Sequence, residues 1–248
     1  MIVDRCFYAI LCDCPVCAQV LLAVLSLKRY TLKWNDFCMN EDESMLNIIV
    51  MASGRGSNLK AIQEAIENGL LNGSIRAVIG NVQDAPALSY AESKGIRAIW
   101  FDPGDKGGRQ AYERKILDEV ARIGSDCIAL AGYTLMLSAA FIVEYGKPIL
   151  NIHPSLLPAF PGLTAQKDAV DYGVKFSGCT VHFVDEGMDT GPIIAQRAVP
   201  VMDYDDEESL SARILEEEHK LYPEVLSMMA SGRIHRIERK IFVDLLYR

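Results

Sequence analysis

The amino-acid sequence predicts an α/β fold, in which a Rossmann-like, mostly parallel twisted sheet carries helices on both faces. From residue 46 onward, short runs rich in β-branched and aliphatic residues alternate with amphipathic segments of helical period. Strands that alternate with helices favour βαβ units, whose parallel strands bind ligands at their carboxyl ends. The chain of 248 residues, 50% of them hydrophobic and 23% charged, is also long enough to bury a full core.

The elements follow from this alternation in chain order. Strands are expected at residues 46–51, 75–79, 97–101, 126–131, 148–152, 179–184 and 193–201. Helices are expected near residues 57–68, 86–94, 109–122, 138–145 and 206–230. The last helical segment begins with acidic side chains, which suit the positive end of a helix dipole. Pro223 is expected to kink or divide that helix, because proline donates no backbone hydrogen bond.

Composition and charge argue against several kinds of partner. The formal net charge is −8 and the Lys and Arg residues are scattered, so we expect no nucleic-acid partner. No stretch of the main body approaches the ~20 apolar residues of a membrane span, so we expect no membrane partner. Cys127 and Cys179 lie in apolar runs, where reduced, buried thiols are expected. These features predict a cytoplasmic protein, and they leave its oligomeric state open.

The first 44 residues differ from the rest, because they hold five of the seven cysteines. The Cys-x-Cys-x-x-Cys motif at residues 12–17 and the apolar run after it suggest a metal knuckle or a secretory signal. A zinc site needs a second ligand pair, which Cys38 alone does not supply. Asp13 interrupts the apolar stretch of a signal. We therefore expect no metal, and we interpret residues 1–44 as an N-terminal extension of doubtful structure before a single domain at residues 45–248.

A glycine-rich turn links the first predicted strand to the first predicted helix. The turn reads Gly54-Arg-Gly56-Ser57-Asn58. Unpaired backbone N–H groups at a helix N-terminus favour an anion, so a phosphate is the expected ligand. The turn is neither a Gly-x-Gly-x-x-Gly motif nor a Walker loop. A plain strand-to-helix turn capped by Ser57 therefore remains the alternative.

Three polar residues suggest catalysis of acyl transfer. Asn151 and His153 lie two apart at the end of a predicted strand, so their side chains share a face. The apolar, turn-rich segment 158–163 follows them and is typical of a loop that lines a pocket. Asp189 lies between two glycines, where an unusual backbone conformation can bring a carboxylate near a ligand. An amide, an imidazole and a carboxylate supply oxyanion donors and a proton acceptor. The alternatives are a structural Asn-His pair and an ordinary turn aspartate.

One helical carboxylate also stands out. At 100° per residue, Glu218 falls in the middle of the apolar face of the last helix, whereas Glu216 points away from it. A charge on an apolar face needs a partner. Pairing with an Arg is the structural interpretation, and hydrogen bonding to sugar hydroxyls is the functional one.

These segments together resemble the phosphoribosylglycinamide formyltransferases, the folate-dependent enzymes of purine synthesis. The resemblance spans about residues 46–235. It rests on the motifs Asn47-Ile-Ile-Val, Ser53-Gly-Arg-Gly-Ser-Asn58-Leu, Leu130-Ala-Gly-Tyr133, Leu150-Asn-Ile-His-Pro-Ser-Leu-Leu-Pro158, Gly178-Cys-Thr-Val-His-Phe-Val184, Asp189-Thr-Gly-Pro192 and Glu218-His219. It implies the formyltransferase fold, which is a Rossmann-like α/β sheet.

The resemblance implies a role for each candidate residue. The residues that would bind the phosphate and ribose of a ribonucleotide are Gly56, Ser57, Asn58 and Glu218. Those that would border the folate pocket are Thr134, Leu135, Met136, Leu137, Val184 and Asp185. The matches to the catalytic positions are Asn151, His153 and Asp189, with His182 in support. The chain departs from some relatives at Thr164-Ala-Gln166, where they carry His-Thr-His, and at Leu135, where they carry Arg. These departures concern the shape of the pocket more than the reaction type.

The expected reaction transfers the formyl group of the co-substrate 10-formyltetrahydrofolate to the primary amine of glycinamide ribonucleotide. Asn151 and His153 would stabilise the oxyanion, and Asp189 would carry the proton, without a covalent enzyme intermediate. The alternatives are formyltetrahydrofolate deformylase, another formyltransferase such as the methionyl-tRNA enzyme, and a phosphosugar-binding module without catalysis. The first two families carry an additional N-terminal or C-terminal domain, respectively. A binding module would not need the three polar residues together.

Overall fold

The computed structural model describes residues 45–104 and 106–244. Within them, the strands of the main sheet are β1 (Leu46–Met51), β2 (Gly73–Gly80), β3 (Ala98–Trp100), β4 (Cys127–Leu130), β5 (Ile149–His153), β6 (Phe176–Phe183) and β7 (Ile193–Pro200). The helices are α1 (Ser57–Glu67), α2 (Pro86–Ser93), α3 (Gly108–Ile123), α4 (Ala139–Tyr145), α5 (Ala165–Tyr172) and α6 (Glu207–Ala230). A two-stranded sheet consists of β8 (Ile234–Ile237) and β9 (Lys240–Val243). The predicted N-terminal extension, with its cysteine motif, lies outside the described residues.

The main sheet is mostly parallel, as the sequence predicts. Its strand order is β3-β2-β1-β4-β5-β6-β7. The strands from β3 to β5 pair in parallel, whereas β6 runs antiparallel to β5 and β7 runs antiparallel to β6. The strand order reverses at β1, between β2 and β4. The loops that follow β1 and β4 therefore diverge to opposite faces of the sheet and leave a crevice between them, where α/β proteins bind ligands.

Helices cover both faces of the sheet, which confirms the predicted architecture. Apolar side chains of α1, α2, α5 and α6 pack on one face, and those of α3 and α4 pack on the other. Strand β1 serves both cores, because Ile48 and Val50 face the first while Ile49 and Met51 face the second. This double burial explains why β1 is apolar along most of its length.

Three elements differ from the sequence prediction. Helix α5 and the hairpin of β8 and β9 are absent from it, because α5 lies next to the turn-rich segment 158–163 and the hairpin is mostly exposed. Of the two outcomes predicted for Pro223, a kink or a division of the last helix, the division is wrong, since α6 runs through Pro223 as one helix of 24 residues. Pro223 is buried, and the apolar face of α6 packs into the core on both sides of it. This packing offsets the lost hydrogen bond.

A buried hydroxyl connects α6 to the centre of the sheet. Tyr222 is fully buried, and its hydroxyl lies 3.1 Å from the carbonyl oxygen of Leu130 and 3.0 Å from that of Leu150. The hydroxyl has one hydrogen, which these two carbonyl acceptors share. The side chain therefore links α6 to the end of β4 and to β5.

The two cysteines of the described residues are free thiols in the core, as predicted. Cys127 and Cys179 are both fully buried. Burial raises the pKa of the Cys179 thiol to about 12, so the thiolate is not populated at neutral pH. Over the same part of the chain, no helix combines the length and the apolar character that crossing a membrane requires.

Candidate functional site

The polar cluster of the site begins on two adjacent antiparallel strands. Asn151 and His153 lie two apart on β5, so they project from the same face, as predicted. His182 on β6 is the cross-strand partner of Asn151, and directly opposed residues point to the same side. The amide Nδ2 of Asn151 lies 3.2 Å from the ring Nε2 of His182. The pleat and register of β5 and β6 alone therefore bring these three side chains together.

The loop between β6 and β7 adds a carboxylate to this cluster. Asp189 has a φ of 53°, a left-handed conformation that few residues other than glycine adopt. Its Oδ1 accepts from Asn151 Nδ2 at 3.4 Å, and its Oδ2 lies 3.3 Å from His153 Nδ1. The backbone N–H of Gly162 donates to Oδ2 at 2.9 Å. The segment 158–163 forms a loop beside the site, as predicted, and it holds the carboxylate in place.

The hydrogen-bond partners of His153 define a proton-binding position. Its Nε2 lies 2.8 Å from the carbonyl oxygen of Phe160, which can only accept, so Nε2 carries a hydrogen. In a neutral ring, Nδ1 then presents a lone pair to the Asp189 carboxylate 3.3 Å away. Two acceptors facing each other leave a place for one further proton between them. The His153–Asp189 pair is therefore built to take up and release a proton.

The same surroundings set the charges of the pair. Burial lowers the pKa of His153, although the Phe160 carbonyl and the nearby Asp189 oppose this change. For Asp189, burial alone would raise the pKa, but interactions with His182, with the Gly162 N–H and with His153 outweigh it and bring the pKa below its ordinary value. The carboxylate is therefore ionised at neutral pH and can accept a proton.

A cavity of ≈ 320 Å³ opens over this cluster, with mixed apolar and polar walls. The residues predicted to border a folate all lie on it, namely Thr134, Leu135, Met136, Leu137, Val184 and Asp185. Asn151, His153, His182 and Asp189 line the same cavity. Two loops supply most of the wall, one after β4 and one after β6. The structure thus brings ten residues from three separate stretches of the sequence, 134–137, 151–153 and 182–189, onto one surface.

A second cavity, of ≈ 430 Å³, lies at the N-terminus of α1. It is lined by all four residues predicted to bind a ribonucleotide, namely Gly56, Ser57, Asn58 and Glu218. Gly56 is the N-cap, in the left-handed conformation with φ 73°, and a Cβ there would lie 2.8 Å from the Cβ of Ala87. Ser57 is therefore the first helical residue and not the cap, which corrects that alternative. The unpaired N–H groups of the first turn of α1 can bind an anion.

Glu218 projects from α6 into this second cavity. It is 6% exposed, and its Oε2 accepts a hydrogen bond of 2.8 Å from Asn58 Nδ2. Its partner is therefore an amide, and the structural interpretation, a pairing with an Arg, does not hold for this side chain. Burial raises the pKa of Glu218 to about 7, and the Asn58 hydrogen bond opposes this only in part. The side-chain oxygen of Asn58, Oδ1, is buried without a hydrogen-bond partner.

The two cavities meet at the carboxyl ends of β4 and β5. Gly132, Ile152, Pro154 and Gln166 line both of them. Gln166 lies on α5, which the sequence prediction missed, so its place between the cavities was missed as well. The sequence does carry signals for this short helix. Thr164 is its N-cap, Asp168 lies in its first turn, and Gly173 is its C-cap. Across the described residues, no group of three or more His, Cys, Asp or Glu side chains is arranged to hold a metal ion.

An amide, an imidazole and a carboxylate between two joined cavities are typical of an enzyme that transfers a small acyl group between two bound substrates. Residues 46–226 match the sequence model of the formyl transferase family, and the chain belongs to that family. Phosphoribosylglycinamide formyltransferase of Escherichia coli is 40% identical over 199 residues, which cover 80% of this chain and 94% of that protein. The trifunctional purine biosynthetic protein adenosine-3 of Drosophila melanogaster is 42% identical over 187 residues, but the match spans only 14% of its length.

Comparison with solved structures agrees with this family membership. Glycinamide ribonucleotide transformylase 1 from Symbiobacterium toebii superposes with a TM-score of 0.78 at 43% identity, over 80% of this chain and 94% of that chain. A formyltetrahydrofolate deformylase from Pseudomonas syringae superposes with a TM-score of 0.74 at 28% identity, over 81% of this chain and 66% of that chain. The fold is thus shared with both enzymes, and sequence identity is higher to the transformylase.

Proposed function

We propose that this protein transfers the formyl group of 10-formyltetrahydrofolate to the primary amine of glycinamide ribonucleotide, a step of de novo purine biosynthesis. The observation that carries the proposal is the junction of the two cavities. One cavity contains the cluster of Asn151, His153 and Asp189, and the other contains a helix N-terminus and a buried carboxyl. Two separate substrates can meet there in a single complex.

The second cavity suits the ribonucleotide. Its phosphate would accept hydrogen bonds from the first turn of α1 at Gly56, Ser57 and Asn58. The ribose hydroxyls would donate to Glu218 and to Oδ1 of Asn58, which has no other hydrogen-bond partner. A diol thus satisfies two acceptors at once. In this pose the glycinamide amine extends past Gly132 and Ile152 towards the first cavity.

The first cavity suits a reduced folate. Leu135, Met136 and Val184 supply apolar walls for a flat heterocycle, while Thr134 and Asp185 supply polar groups at the edge. When bound there, the folate supplies the formyl group. Leu137 is buried in the core, so it anchors the loop that forms this wall of the cavity.

Two side chains can stabilise the negative charge that develops on the formyl oxygen. Asn151 can exchange its weak 3.4 Å contact with Asp189 for a hydrogen bond to this oxygen. His153 keeps its Nε2–H on the Phe160 carbonyl, so it can donate to the formyl oxygen only through Nδ1, once the proton shared with Asp189 resides on that nitrogen. An oxyanion donor of this kind contributes roughly 3 kcal/mol to the lowering of the barrier.

Asp189 can receive the proton that the attacking amine loses. The carboxylate is ionised at neutral pH, and the position between its Oδ2 and His153 Nδ1 can hold a further proton. From there the proton can pass to the departing nitrogen, directly or through water. The amine is a competent nucleophile once deprotonated and held in place, so no covalent enzyme intermediate is needed. Both free cysteines of the described residues are buried in the core and away from this step.

The deformylase is the second candidate, because its solved structure superposes on this chain. Transfer to water does not require a phosphate-binding helix terminus or a buried carboxyl such as Glu218. The second cavity therefore favours a ribonucleotide acceptor. The test is a competition assay in which purified protein and 10-formyltetrahydrofolate are offered glycinamide ribonucleotide, water alone, or charged tRNA. Dominant transfer to the ribonucleotide supports the proposal, and equal hydrolysis with and without it refutes the proposal.

We further propose a boundary and a location for the protein. The family match begins at residue 46, which supports an N-terminal extension at residues 1–44 and a formyltransferase domain at residues 45–248. Deletion of residues 1–44 is expected to leave formyl transfer unchanged, and an inactive deletion variant would refute this boundary.

We propose a cytoplasmic location, with small-molecule substrates and no nucleic-acid or membrane partner. Fractionation of cells with an antibody against the protein tests the location.

A further inference from the structure

The loop of residues 133–138 forms one wall of the first cavity, and a single face of α3 holds it from behind. Three side chains of α3 contact the loop, at positions i, i+3 and i+4 of the helix. They are Arg109, Tyr112 and Glu113. Residues with this spacing lie side by side on a helix. None of the three lines the cavity itself.

Glu113 makes the central contact. Its side chain is 8% exposed. Its Oε1 accepts from the backbone N–H of Ser138 at 2.9 Å, and its Oε2 accepts from the Ser138 hydroxyl. The Ser138 hydroxyl in turn accepts from the N–H of Phe141 at 3.1 Å and so caps α4. One buried carboxylate thus holds the end of the loop and the start of the next helix.

The two neighbouring contacts hold the middle and the beginning of the same loop. Arg109 Nη2 donates to the carbonyl oxygen of Met136 at 2.7 Å, and its Nε donates to Glu113 at 3.0 Å. The hydroxyls of Tyr112 and Tyr133 lie 2.6 Å apart. Glu113 therefore also orients the guanidinium that binds the loop backbone. Loss of the carboxylate would release two of the three contacts.

We propose that Glu113 is a positioning residue that sets the affinity for the folate by holding the 133–138 loop in shape. The proposal rests on the proposed function, because it assigns the loop wall to the folate and not to the ribonucleotide. Glu113 does not touch either cavity, so it acts through Ser138 and Arg109. We therefore expect its effect to fall mainly on the folate.

The chain offers a matched control on the same pair of helices. Arg114 on α3 forms an ion pair with Glu144 on α4, and neither residue contacts the loop. The Glu144 side chain is 45% exposed, whereas that of Glu113 is 8% exposed. Glu144→Ala removes a carboxylate between α3 and α4 without loosening the cavity wall.

The experiment compares Glu113→Ala, Glu113→Gln and Glu144→Ala in steady-state formyl transfer. Glu113→Ala is expected to raise the KM for the folate roughly tenfold, as for the loss of a buried charged hydrogen bond, and to change the KM for the ribonucleotide less than about twofold. Glu113→Gln should recover much of the folate KM, because its amide can still bond to the N–H and hydroxyl of Ser138. Glu144→Ala should leave both constants near those of the unaltered protein.

Amide hydrogen exchange gives a second measurement that does not depend on activity. The amides of Leu135 to Ser138 are expected to exchange faster in Glu113→Ala and at an unchanged rate in Glu144→Ala. Glu113→Asp, whose shorter side chain cannot reach Ser138 and Arg109 together, replaces Glu113→Ala in both measurements if that variant does not fold, with the same expected direction. An unchanged folate KM, or equal rises in both KM values, overturns the proposal. If the unaltered protein transfers no formyl group, the proposed function fails, and unchanged exchange of the loop in Glu113→Ala would separately refute the positioning role.

Discussion

The buried carboxyl of Glu218 should make the stability of the protein depend on pH in a way that one substitution removes. Its pKa is raised from 4.5 to about 7 in the folded protein, because 94% of the residue surface is withdrawn from water. The folded protein therefore binds a proton more tightly than the unfolded chain does. Between these two pKa values the folded state carries the extra proton, so the free energy of unfolding falls as the pH rises.

The magnitude follows from the size of the pKa change. One pKa unit corresponds to about 1.4 kcal/mol, so an ionised Glu218 above pH 7 costs the folded state roughly 3 kcal/mol relative to strongly acidic conditions. The amide in Glu218→Gln is neutral at every pH. The variant should therefore gain stability relative to the unaltered protein by about 2 kcal/mol between pH 5.5 and pH 8. Urea denaturation of both proteins at several pH values measures this difference.

Glu216→Gln is the matched control, because Glu216 is exposed on the same helix. Its stability relative to the unaltered protein should not change with pH. Binding of glycinamide ribonucleotide should strengthen as the pH rises through 7 in the unaltered protein, since the ionised carboxylate accepts more strongly from hydroxyls, and Glu218→Gln should lose this dependence. Parallel stability curves for Glu218→Gln and the unaltered protein would refute the reasoning from burial.

Four further outcomes follow from the site and the core. Asp189→Asn should lower kcat at least ~100-fold while both substrates still bind, because the amide cannot accept a proton, and a defect confined to folate affinity in a steady-state assay would contradict this. His153→Ala should lower kcat by about 100-fold with near-normal ribonucleotide affinity, and an unchanged kcat would remove the residue from oxyanion stabilisation. Ser57→Ala combined with Asn58→Ala should raise the KM for the ribonucleotide far more than that for the folate, and equal effects would argue against a phosphate site. Tyr222→Phe should lower the free energy of unfolding by about 1–2 kcal/mol in urea, and an unaltered midpoint would mean that its hydrogen bonds contribute nothing net.

The parts of the site that depend on local geometry could be predicted from the sequence. Asn151 and His153 share a face because of the two-residue period of a strand, and Glu218 faces inward because of the helical period. Strand β1 has the predicted bounds, since a continuous apolar run is hard to misplace. The left-handed Asp189 agrees with its glycine-rich surroundings. Predicting these features requires only the residues that are close to them in the sequence.

Features that depend on distant partners could not be predicted. Asn58 and Glu218 are 160 residues apart, and no pattern in either segment identifies the other as its partner. The contact of Glu113 with Ser138 depends on how α3 packs, which periodicity alone leaves open. Helix α5 lies next to a segment rich in turn formers, which obscures its helical period. The roles of the site residues come from resemblance and stay predictions until the variants are measured.

Tyr222 has a mechanical consequence for the reaction. It lies one turn after Glu218 on α6, and its hydroxyl is bonded to the backbone of β4 and β5 next to Asn151. Glu218, which is proposed to bind the ribose, and Asn151, which is proposed to bind the formyl oxygen, therefore lie on elements that Tyr222 links directly. We expect a displacement of α6 to move β5 with it, because the Tyr222 hydroxyl connects the two elements. The distance between the two substrate sites is therefore set by the sheet and α6, and not by the loops that line the cavities.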